Sequence, residues 1–128
     1  LEDPAFARSS LGLGGICWTD PSNLTAEAME VYFRPLLATP RARAQFQAYG
    51  ASFEPNPLPA IEPAIRTFAA PARMVWGTGD IHFAPAWADW LDRTLPGSRG
   101  VRLVEGAKLF FPEEYPDLLA EEALVLWS

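Results

Sequence analysis

Proline placement constrains this chain more than any other feature. Of 13 prolines in 128 residues, most precede Ala72, and Pro21, Pro35, Pro40, Pro55, Pro57, Pro59, Pro63 and Pro71 cut that half into segments. Each removes an amide donor and biases its predecessor away from helix, so the first half is confined to short, interrupted elements. Thr25 is placed to cap a helix over Ala26 to Leu37, with Glu27 in its first turn and Met29, Tyr32, Phe33 and Leu36 at helical spacing. The same pattern predicts a kink near Pro35, a second helix over Arg41 to Ala51 with Phe46 and Tyr49 on one face, and a third over Pro59 to Phe68 carrying Ile61, Ile65 and Phe68. Such aromatic and Met stripes are expected to build core before they line a ligand pocket.

Beyond Pro71 the pattern changes. Ala72 to Trp76 is a short apolar run between Pro71 and Gly77, suited to a buried strand of a parallel sheet. Phe83 to Leu95 reads as an amphipathic helix with Trp87, Trp90 and Leu91 inward, stopped by Pro96-Gly97. Val101 to Val104 forms a second strand, and Pro116 to Trp127 a closing helix carrying Leu118, Leu119, Ala123, Leu124 and Trp127. This order of strand, helix, strand, helix calls for parallel strands joined by a right-handed crossover. The fold class is therefore α/β, a helical segment over 1–70 followed by a β-α-β-α part over 71–128.

Composition narrows the partners. A hydrophobic content of 49% with 20% charged residues fits one globular domain with a modest core. The net charge is −6, Lys108 is the sole lysine, and no basic stripe is available to a phosphate backbone, so nucleic acid is not an expected partner. No apolar stretch approaches the ~20 residues that span a bilayer. The start, Leu1-Glu2-Asp3-Pro4, has no basic or apolar leader, so a cytoplasmic location is expected. Cys17 is the sole cysteine and, with no base motif in sequence beside it, reads as a small buried hydrophobe in preference to a reactive thiol. Asn23-Leu24-Thr25 fits a glycosylation sequon but reads as a helix start. No zinc spacing, EF-hand pattern or Gly-rich phosphate loop occurs, and no cofactor is expected.

The segment Pro71-Ala72-Arg73-Met74-Val75-Trp76-Gly77-Thr78-Gly79-Asp80 resembles the P-x-x-x-x-W-G-x-x-D signature of the haloalkane dehalogenase and epoxide hydrolase branch of the α/β-hydrolases. Gly106-Ala107-Lys108-Leu109-Phe110-Phe111-Pro112-Glu113-Glu114 is similar to that branch's last strand and histidine loop, G-x-G-H-F-x-x-x-E. The resemblance covers roughly Pro71 to Ser128, and by position the preceding helices look like the branch's cap domain. It implies a partial α/β-hydrolase fold, with Asp80 as the acid that orients an imidazole. From its own context Asp80 also fits a strand-end turn in which the carboxylate accepts backbone amides.

Two departures follow. Leu109 stands at the family's histidine position, and leucine cannot act as a general base. No G-x-S-x-G elbow or Asp counterpart occurs: Gly12-Leu13-Gly14-Gly15 lacks a central nucleophile, and Ser9, Ser10, Ser22, Ser52, Ser98 and Ser128 read as cap, turn or surface residues. His82, the sole histidine, lies two residues beyond Asp80 and is the alternative base, against a solvated or helix-capping role. Glu113 and Glu114 fit the favourable start of the final helix better than an acid-base pair.

A two-stranded parallel sheet leaves rows of donors and acceptors uncovered. The chain is therefore expected to form a homo-oligomer or to join a complementing hydrolase chain. Two functions compete. One is a fragment or subunit of a hydrolase acting on a small apolar halide, epoxide or ester once joined to a nucleophile-bearing part. The other is a non-catalytic module that binds a ligand or a protein.

Overall fold

The computed structural model describes residues 3–56 and 58–127; Leu1, Glu2, Pro57 and Ser128 lie outside the described residues. Two short helices open the chain, α1 (Pro4–Arg8) and α2 (Leu13–Cys17), followed by a 3-10 turn at Pro21–Asn23. Next come α3 (Ala26–Leu37) and α4 (Pro40–Ala51). The Thr25 and Thr39 hydroxyls cap these two, accepting from the Ala28 and Ala42 amides at 3.1 Å. Pro35 sits inside α3, whereas Pro40 opens α4, where a missing N–H costs nothing.

The third helix expected in this half is much shorter. Its span holds a 3-10 turn (Leu58–Ile61) and one helical turn, α5 (Glu62–Ile65), because Pro59 and Pro63 each remove a donor from a continuous ladder. The aromatic stripe is corrected too. Met29 and Phe33 are buried, but Tyr32, Phe46, Tyr49 and Phe68 are exposed, and α4 buries no residue. The core of this half is instead Ala7, Cys17, Trp18, Leu24, Met29 and Phe33, drawn largely from the short elements that carry no long periodicity.

Strands β1 (Ala72–Gly77) and β2 (Ser98–Val104) run parallel, with Met74 opposite Val101 and Gly77 opposite Val104. They enclose α6 (Ala86–Thr94), which packs on both, and are followed by α7 (Phe111–Glu114) and α8 (Pro116–Trp127). Arg73 fastens α8 to β1 through Glu122 at 2.7 Å, a pair sheltered enough to hold its geometry. The α6 helix starts three residues later than its periodicity predicts, and Trp87 points outward, leaving Ala88 as the buried contact. The α8 helix exposes Leu124 and Trp127, the latter 80% accessible.

Ala72 donates to the Gly97 carbonyl and Thr78 to that of Val104. Alternation along the strand then turns the N–H and C=O groups of Arg73 and Val75 to the opposite edge, where no described strand lies. Among the described residues no helix is long and apolar enough to cross a membrane.

Candidate functional site

The loops at the carboxyl ends of β1 and β2 are stitched together by close backbone approach. A Cβ at Gly77 would lie 2.1 Å from the Ala107 carbonyl oxygen, and one at Gly79 2.5 Å from that of Gly106. Glycine at both positions lets the Gly79 amide donate to Ala107 at 2.9 Å, while the Gly106 amide donates to the Thr78 hydroxyl at 2.7 Å. Gly106 itself turns the chain at φ +69°, a conformation that favours glycine.

Asp80 follows directly. One carboxylate oxygen accepts the backbone amides of His82 at 2.7 Å and Phe83 at 3.0 Å, and the Trp76 indole donates to the Phe83 carbonyl at 2.9 Å. These bonds fix residues 80–83 as a turn, which explains the late start of α6. The Asp80 carboxylate thus bonds the backbone of His82 and not its ring, the strand-end turn that its own sequence context allows.

The ring of His82 reaches back to the first half, where its Nε2 lies 3.5 Å from Cys17 Sγ. Spacing in sequence gives no hint of this pair, 65 residues apart, so the reading of Cys17 as a cysteine without a base is corrected. Its burial stands, at 1% exposure. Burial pushes the thiol pKa up, the negative charge of Asp80 adds to the rise, and Lys108 opposes both. A raised thiol pKa works against thiolate formation and so against nucleophilic reactivity.

Leu109 is partly buried. With Phe110 it packs against the N-terminal core, and Phe110 stacks on Trp18 with ring centres 4.3 Å apart and planes 11° from parallel. Around this plug the backbone and side chains tie in. The Phe110 amide donates to the Cys17 carbonyl at 2.9 Å. The Lys108 amide donates to the Thr19 hydroxyl at 3.2 Å and its ammonium to the Gly15 carbonyl at 2.6 Å.

Glu113 and Glu114 do more than favour a helix start. Glu114 accepts the Thr19 amide at 2.9 Å, the Asp20 amide at 2.8 Å and the Asn23 side chain at 3.0 Å. Burial works to raise its pKa, but the Asp20 and Thr19 amides, with the Thr19 and Asn23 side chains, outweigh it and hold the carboxyl below its usual value. Glu113 accepts the Tyr32 hydroxyl, and that bond, then burial, then the carboxylate charge raise the Tyr32 pKa. The motif that resembles a histidine loop is here a seam between the two halves.

The serines act locally, those of Ser9 and Ser52 donating to carbonyls three residues back and that of Ser98 to Asp92. An open groove of about 320 Å³ runs along α3, lined mainly by Ala26, Met29, Phe33 and Leu37. None of Cys17, Asp80, His82 and Leu109 lines it. Among the described residues no group of three His, Cys, Asp or Glu side chains is placed to hold a metal ion. No protein-family model, curated protein or solved structure matches the chain.

Proposed function

We propose that this chain is a hydrolase-derived half-scaffold, the cap segment and last two strands of an α/β-hydrolase. It serves turnover of a small apolar halide, epoxide or ester only when a nucleophile-bearing part completes the sheet. The observation that carries this reading is the parallel β1–β2 pair with Asp80 on the loop at the carboxyl end of β1, stitched to the loop after β2. Open α/β sheets place their chemistry at that end. The edge at Arg73 and Val75, which no described strand pairs, supports a missing neighbour strand, supplied by a second copy or a complementing chain. A cytoplasmic setting suits the one unpaired thiol.

In this reading the chain by itself does not turn over substrate: Leu109 has no proton to exchange, and Cys17 is covered, with its thiol pKa raised by burial. A second reading, a non-catalytic binding module, draws support from the same seam, since the residues at the histidine-loop position are spent on packing. An aryl-ester, epoxide and haloalkane turnover screen of the purified chain tests the assignment. The expected result is no turnover above a buffer blank. Turnover abolished by Asp80→Ala, His82→Ala or Cys17→Ser would overturn the claim that the isolated chain is inactive.

A further inference from the structure

The two halves of the molecule meet along one seam. No helix before β1 packs extensively on β1, β2, α6 or α8, and the residues beyond β1 that join the N-terminal core are Leu109 and Phe110. Of the remaining ties, Cys17 reaches His82 on the loop after β1, and the others gather on the 108–114 stretch: Lys108 on Gly15 and Thr19, Phe110 on Cys17, Glu113 on Tyr32, and Glu114 on Thr19, Asp20 and Asn23. Within the N-terminal unit, by contrast, Ala7, Cys17, Trp18, Leu24, Met29 and Phe33 form one buried cluster, and the Arg8 guanidinium donates to the Leu24 carbonyl at 2.8 Å. Each side is knit internally, and the seam runs between them.

We propose that residues 4–37 move off the 105–114 loop as one unit, that Glu114 is the clasp holding them closed, and that release uncovers the Cys17 thiol and parts it from His82. This device is independent of hydrolase ancestry and stands or falls on its own test. Cys17 lies on the seam: its thiol meets His82 and its carbonyl meets Phe110, both across the divide. Glu114 is suited to the clasp because a single carboxylate collects three donors from one loop, and hydrogen bonds to a charged group are the stronger kind. Sub-global opening of such a unit takes less free energy than unfolding the whole chain.

Cys17 is the only thiol in the chain, so its alkylation by iodoacetamide reports on this seam alone. Labelling is measured at fixed pH in urea concentrations below the unfolding transition, with far-UV circular dichroism alongside. The expected result for the parent chain is a rate that rises with urea, but much less steeply than global unfolding does, the mark of sub-global opening. Glu114→Gln should speed labelling by roughly tenfold with helix content retained, from the loss of charge-assisted bonds, while Arg34→Gln, on the outer face of α3, should leave it unchanged. Parent labelling that climbs with urea as steeply as global unfolding would overturn the proposal, as would a native-like Glu114→Gln that labels at the parent rate. Should Glu114→Gln not fold, Asn23→Ala removes one of the clasp's three donors and should still raise the rate severalfold; an unchanged rate there overturns it equally.

Discussion

Replacing Leu109 with histidine puts back the residue type that the resemblance calls for, and the packing around that position predicts damage. Leu109 lies partly buried against the N-terminal core beside Phe110. Losing that aliphatic contact costs roughly 1–2 kcal/mol, and placing an imidazole there with no partner costs roughly 1–3 kcal/mol more. The sum is a loss of about 3 kcal/mol, or a fall in Tm of about 10 °C for a chain of this size. The sign of the pH effect follows from desolvation, which lowers the introduced imidazole's pKa below its unfolded value near ~6.5. The unfolded state then takes up a proton first, so the deficit is constant above about pH 7 and grows as pH falls below ~6.5. Urea denaturation of Leu109→His and the parent at pH 8 and pH 5.5 measures both quantities. A variant as stable as the parent at both pH values, with new Asp80-dependent ester turnover, would refute the reasoning and make the loop a catalytic one lacking only its base.

The thiol and the seam give two further expectations. Because the Asp80 charge contributes to raising the Cys17 pKa while Lys108 opposes the rise, Asp80→Ala should move the thiolate titration, followed at 240 nm, to lower pH, and Lys108→Gln should move it to higher pH. A shift in the same direction for both would contradict the assignment of causes. Glu114 has a folded-state pKa depressed below 4.5, so its contribution to stability is full above that unfolded value and is lost as pH falls through the lower folded one. Stability of Glu114→Gln should therefore fall less steeply with acid than that of the parent, as read by urea midpoints from pH 6 to pH 3.

Several elements in both halves were legible because their signals are local. The apolar run before Gly77, the Thr25 cap and the Pro116 start each sit within a few residues of the element they specify, and α3 and α8 have the expected limits. Asp80 was readable for the same reason: a strand end, a glycine and an acid form one turn. The N-terminal core was not legible, since Ala7, Cys17, Trp18 and Leu24 come from elements of five residues or fewer and the loops between them, too short to show a helical period. Trp87 misled because helical spacing marks a face but not whether anything covers it. The Cys17–His82 pair and the Glu114 clasp depend on contacts across 65 to 95 residues, which spacing cannot encode. Leu109 was visible as a departure, but only its neighbours reveal it as a plug.

The claim that this chain is half of a sheet meets its most direct test in sedimentation velocity on the purified protein over a range of micromolar concentrations. With no described strand beside β1 at Arg73 and Val75 and Leu103, Leu124 and Trp127 exposed, assembly into dimers or larger species is the predicted result, shifting with concentration. A single well-folded species of 14.1 kDa at every concentration would contradict the account.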